Sequence, residues 1–185
     1  MFVCRNNVVQ MIVFSGIIWG CFLFSFALPA QALTGKVVGN PAGDILTVLP
    51  AGPEKIAVSL YGIMTPGKDQ PYFKEAMRFT ADMVTSKIVD VEVVKKNQSG
   101  RLIGIVRVGG RCLNEELIKA GWAWVARHHG DKTPPRSDWL EMEKMARESK
   151  IGLWHDKNPM PPWRLKKLQN SYSTIKKQKL DQKDQ

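Results

Sequence analysis

From residue 33 onward the apolar positions fall into short runs rich in β-branched residues, mostly bounded by Gly, Pro, Asn or Ser. Gly35 to Val38, Asp44 to Leu49, Lys55 to Tyr61, Ile88 to Val94 and Leu102 to Val108 each predict a strand. Between the third and fourth runs the period changes. Phe73, Met77, Thr80 and Val84 recur at helical spacing, so Pro71 to Lys87 predicts a helix, with Pro71 tolerated in its first turn. Gly109-Gly110 predicts a turn closing the last strand, and Asn114 reads as the cap of a short helix, Glu115 to Ala120, stopped by Gly121. A third helix runs from about Asp138 to Lys150, with Ser137 as its cap, Trp139, Met142 and Ala146 on one face, and Gly152 past its end.

Five short strands interrupted by one helix and followed by two more define an α+β chain. A five-stranded Greek-key barrel of the oligonucleotide-binding type, with three helices, suits the pattern because closure removes the sheet edges. Periodicity alone leaves other α+β folds open. The chain divides into residues 1–32, a single domain over 33–163, and a tail over 164–185. The central span is enough for one packed core and too short for two ordinary ones.

Residues 1–32 read as a secretory signal: one positive charge at Arg5, an apolar run from Val8 to Leu28, and Ala30-Gln31-Ala32 as a small-x-small cleavage site. The run is also long enough for an uncleaved anchor, but Pro29 and the Ala-Gln-Ala after it favour cleavage. The expectation is an exported protein, periplasmic or secreted, with no membrane span after cleavage. Cys4 and Cys21 leave with the signal, so Cys112 is the remaining thiol and stability must come from a core. It reads as a small buried hydrophobe, with a reactive or intermolecularly paired thiol as the alternative.

Charge adds a partner class. The chain carries a formal net charge of +10, and the signal accounts for Arg5 alone. The tail concentrates Arg164, Lys166, Lys167, Lys176, Lys177, Lys179 and Lys183 against Asp181 and Asp184, and is expected to be disordered. Such a surface attracts polyanions, whether nucleic acid, anionic lipid or acidic polymer, without choosing among them.

Local motifs narrow the choice. Gly43-Asp44-Ile45-Leu46-Thr47-Val48, Val58 through Pro66, Ser99-Gly100-Arg101-Leu102, Leu113 through Leu117 with Gly121-Trp122-Ala123, and Gly152-Leu153-Trp154 stand in an order and spacing that resembles staphylococcal nuclease. The Pro-rich stretch Pro159 to Trp163 extends the resemblance, which covers roughly Gly35 to Trp163 and implies a bacterial envelope setting. It also implies calcium-dependent phosphodiester hydrolysis on an oligonucleotide-binding barrel, in which carboxylates and a carbonyl hold the ion, a glutamate assists water and two arginines neutralise the phosphoryl group.

Carried over by position, the resemblance assigns Asp44 to a metal-binding aspartate, Thr65 to a backbone carbonyl ligand and Arg101 to a catalytic arginine. Ser59 stands at the second arginine, Met64 at the second metal aspartate and Gly67 at the glutamate. A thioether is a poor ligand for a hard cation, so Ca2+ is expected to bind weakly. Without a glutamate at Gly67 a general base worth ~10²–10⁴-fold is missing. Asp69 is a possible substitute carboxylate, with a helix cap as its plainer reading.

His128 and His129, beside Arg127 and Asp131, read as loop residues, and most of the tryptophans as core. Trp163, next to Arg164, is the candidate for an exposed stacking surface. The leading expectation is a monomeric module that binds nucleic acid or another polyanion through Lys95, Lys96, Arg101 and Arg107 with little or no hydrolysis. Two alternatives stand beside it: a weak or divergent calcium-dependent endonuclease acting on DNA and RNA, and an envelope protein-interaction scaffold, with the barrel as the scaffold or the Lys-rich tail as an envelope tether.

Overall fold

A computed structural model describes residues 32–126 and 136–182. Most of the expected signal, the segment holding Arg127, His128, His129 and Asp131, and the last three residues lie outside them. Five strands make the barrel: β1 (Ala32–Ala42), β2 (Ile45–Leu49), β3 (Ile56–Leu60), β5 (Ile88–Lys96) and β6 (Leu102–Val108). Three two-residue strands, β4 (Ile63–Met64), β7 (Arg111–Cys112) and β8 (Trp124–Val125), complete the set, β4 pairing with β8 and β7 with β6. The order β3-β2-β1-β5-β6 is antiparallel throughout, and a parallel pairing of β3 with β6 closes it, Val58 against Leu102 and Leu60 against Gly104. The expected α+β barrel of the oligonucleotide-binding type is therefore present.

Alternation explains the closure. Along β5, Val89 and Val91 are buried while Ile88, Asp90 and Glu92 are exposed, so one face lines the core and the other meets solvent. Val37, Leu46, Val48, Val58, Leu60 and Val106 meet inside, and Leu113, Leu117 and Ile118 seal one end from helix α2 (Leu113–Lys119). Gly104 permits a close approach of β6 to β5: a Cβ there would stand 2.5 Å from the Glu92 carbonyl oxygen.

Helix α1 (Phe73–Val84) packs Ala76, Thr80 and Val84 inward, and α3 (Ser137–Glu148) packs Trp139, Glu143 and Ala146. Gly121, at φ 72, ends α2 as expected, and its carbonyl accepts from the Leu153 amide at 2.9 Å. Gly152 lies directly against it, which ties the 3₁₀ turn Gly152–His155 to the end of α2. Gly109 and Gly110 take positive φ in the β6–β7 turn, also as expected.

Four details differ from the sequence expectations. Asn114 is not a cap: it lies inside the first turn of α2, fully buried, its Nδ2 donating to the Tyr61 carbonyl at 2.9 Å and its Oδ1 accepting from the Val106 amide at 3.0 Å. Ser137 is the first helical residue of α3, behind Arg136, and makes no side-chain cap. Asp69 does not cap α1, whose N-terminal boundary is Tyr72 in a left-handed conformation. The tail expected to be disordered forms a fourth helix, α4 (Pro162–Asp181). Beyond Pro162 it contains no Gly or Pro, and Pro161 and Pro162 are well suited to a first turn.

Candidate functional site

The turn between β1 and β2 presents Asp44, and two hydrogen bonds exchanged with α1 hold that region. Thr80 Oγ1 donates to the Gly43 carbonyl at 2.7 Å, and Asn40 Nδ2 donates to the Met77 carbonyl at 2.8 Å. The Asp44 carboxylate docks on Thr65, accepting from its amide at 3.3 Å and from its hydroxyl at 3.1 Å. Thr65 itself is buried.

Arg101 is set by the turn before β6. Asn97 Oδ1 accepts from the Ser99 amide, the Ser99 hydroxyl and the Arg101 amide, at 3.1, 2.9 and 2.9 Å. Gly100 completes the turn at φ 82. Across the barrel wall, Ile45, Ser59, Ile103 and Lys95 are successive register partners on β2, β3, β6 and β5. All four border one cavity of about 250 Å³, together with Asp44, Tyr61, Met64 and Arg101. Two cations, one carboxylate and several apolar side chains therefore share one concave surface.

Of the residues singled out in the sequence, the fold brings Asp44, Ser59, Met64, Lys95 and Arg101 together, with Thr65 directly behind Asp44. Lys96, Arg107 and Asp69 do not line the cavity. Arg107 pairs with Asp90 near the opposite end of β6 from Arg101, and Lys96 is the exposed residue after Lys95. Asp69 is exposed in a loop closed by Gln70, whose Oε1 accepts from the Gly67 amide at 2.9 Å and whose Nε2 donates to the Met160 carbonyl at 2.6 Å. Asp69 thus stands outside the cavity lining, two residues beyond Gly67. Tyr61 is a lining residue that the sequence does not single out; it stands at the end of the strand expected over Lys55 to Tyr61.

The donor set fits a calcium ion poorly. Among the described residues Asp44 is the one acidic side chain in the lining, and both of its oxygens already accept from Thr65. Among the described residues, no three His, Cys, Asp or Glu side chains gather closely enough to hold a metal ion. A site of six to eight oxygens would have to draw mainly on water.

Cys112 is buried, and that burial pushes its thiol above the ordinary range. This agrees with the structural reading rather than the reactive one. Trp124, Trp139 and Trp154 are buried as expected, whereas Trp163 is 38% exposed. Glu143 was missed: it is buried, accepts from the Val125 amide at 3.2 Å and lies 3.7 Å from Arg147. Its position four residues after Trp139 and three before Ala146 puts it on the buried face of α3.

The architecture is a closed barrel of the oligonucleotide-binding type with Lys95 and Arg101 on a cavity in its wall. Residues 57–156 match the family model described as "Staphylococcal nuclease homologue", and the chain belongs to that family. An "Uncharacterized endonuclease" of Escherichia coli O157:H7 is 32% identical over 143 residues, covering 77% of this chain and 90% of that protein. A "Micrococcal nuclease" of Shigella flexneri is 31% identical, covering 75% and 83%. The "Staphylococcal-like nuclease CAN1" of Arabidopsis thaliana is 32% identical over 62% of this chain, which spans 34% of its length.

Proposed function

We propose that this chain binds nucleic acid, or another polyanion, in the Asp44–Lys95–Arg101 cavity and hydrolyses it little or not at all. The observation that carries the reading is the company Arg101 keeps: Ser59 and Met64 border the same cavity at positions where the resemblance assigns an arginine and a carboxylate. Gly67 offers no side chain to orient water. Lys95 and Arg101 still supply the attraction for phosphate, which needs only positive charge and donors. Calcium binding is correspondingly weak, and residues 1–32 direct the chain out of the cytoplasm.

The test is incubation of the chain with single-stranded DNA and RNA, in calcium and in chelator, beside Asp44→Ala. The expected result is no cutting, with substrate retention that falls as salt rises. Arg101→Ala should weaken retention by about tenfold, the effect of losing one charge-assisted hydrogen bond. Calcium-dependent cutting that disappears in Asp44→Ala would replace this reading with a weak endonuclease. That second reading draws support from the endonuclease names of the relatives and from the Asp44 carboxylate seated on Thr65.

A further inference from the structure

A second concave surface lies beyond the barrel cavity. A cleft of about 680 Å³ is bordered by Trp124, Arg147, Trp154, Asp156, Trp163 and Arg164. Three of its tryptophans meet edge to face, Trp124 touching Trp154 at 6.1 Å between ring centres and Trp163 at 6.3 Å. Arg147 lies over the Trp154 ring at 4.3 Å, so that cation is held against the wall. Trp154 Nε1 is buried and has no acceptor among the described residues.

Trp163 is the pivot. It borders this cleft and also a second groove along α4, with Lys166, Lys167, Asn170 and Thr174. Its ring is partly exposed where the two hollows meet, and Arg164, Lys166 and Lys167 follow it directly.

The cleft is joined to the barrel cavity twice. Met64, on the cavity lining, is the register partner of Trp124, on the cleft lining. Gln70 links the loop at Gly67 to the Met160 carbonyl in the segment that leads to Trp163.

We propose that this cleft and groove form a second contact for single-stranded nucleic acid, in which a base stacks on Trp163 and the adjoining phosphates lie against Arg164, Lys166 and Lys167. The inference rests on the nucleic-acid reading of the barrel cavity and extends it. A flat indole face beside several cations matches the chemistry of an unstacked base on a charged backbone. Duplex is disfavoured because its base faces are already covered. One strand occupies both sites, crossing the β4–β8 pair between them.

The experiment measures binding of the full chain to labelled oligonucleotides of about 4 and about 16 nucleotides, the range of strand lengths that barrels of this type cover. Trp163→Ala and the exposed pair Lys166→Glu/Lys167→Glu should each weaken the long strand by about tenfold and leave the short one unchanged. Trp163→Phe should restore most of the loss, which separates stacking from a folding defect. Arg101→Ala should weaken both lengths.

If the Trp163 and Lys166/Lys167 variants hold the long strand as the unaltered chain does, while Arg101→Ala still weakens it, this proposal falls and the barrel reading stands. If the unaltered chain retains neither oligonucleotide, both fall. Binding to phosphatidylserine vesicles that is lost in Lys166→Glu/Lys167→Glu, with oligonucleotide binding intact, overturns the proposal in favour of a lipid surface.

Discussion

Ser59→Arg, Met64→Asp and Gly67→Glu, introduced together, are expected to raise cleavage of single-stranded DNA in calcium by at least ~10²-fold, with the gain lost on chelation. Each position has room or orientation for its new side chain. Ser59 lies between its register partners Ile45 and Ile103 on the cavity wall, so an arginine there extends along the same surface as Arg101. Met64 immediately precedes Thr65, the residue that holds Asp44, so an aspartate there adds a second carboxylate beside the first. At Gly67 a Cβ meets nothing closer than the flexible end of Gln70, at 3.4 Å. Groups that act as a unit gain little singly, so the single substitutions should stay near background. A folded triple variant that still fails to cut would show that these three positions are not what separates this cavity from a hydrolytic one.

Asn114→Ala is expected to cost roughly 2–5 kcal/mol of folding stability, because it strands a buried backbone amide and a part-buried carbonyl at once. The side chain bridges the Tyr61 carbonyl and the Val106 amide, tying α2 to the segment after β3 and to the middle of β6. Tyr61 also borders the cavity, so nucleic-acid retention should fall with stability. Urea unfolding at unchanged slope measures the first effect. A shift smaller than ~0.5 kcal/mol would mean that water takes over both hydrogen bonds.

The Asn114 side chain also marks the boundary of what the chain reveals in one dimension. A polar residue before an apolar helix has the same local signature whether it caps the helix or spans two strands from within; the partners that decide, Tyr61 and Val106, are remote or on another element. The long strands were legible because β-branched alternation persists over enough residues to show a period. Strands β4, β7 and β8, of two residues each, are too short for any period. Asp44, Ser59, Met64 and Arg101 were legible as a set through motif order, and the register ladder explains why they meet. Lys96 and Arg107 were grouped with Lys95 and Arg101 by charge and proximity along the strands. A strand turns alternate side chains to opposite faces and carries its ends far apart, and composition cannot express that.

The pairing of β3 with β6 brings Val58 against Leu102, far along the chain. As the polypeptide is made from its N-terminus, β1 to β3 form a sheet whose outer edge stays unsatisfied until β6 has been synthesised. Contacts of such long sequence separation slow folding, since a large loop must be ordered before any of them is gained. A chain broken off before Leu102 has two raw edges and no means of hiding them. The interval in synthesis between β3 and β6 is thus when nascent copies are most exposed to exchanging strands with one another.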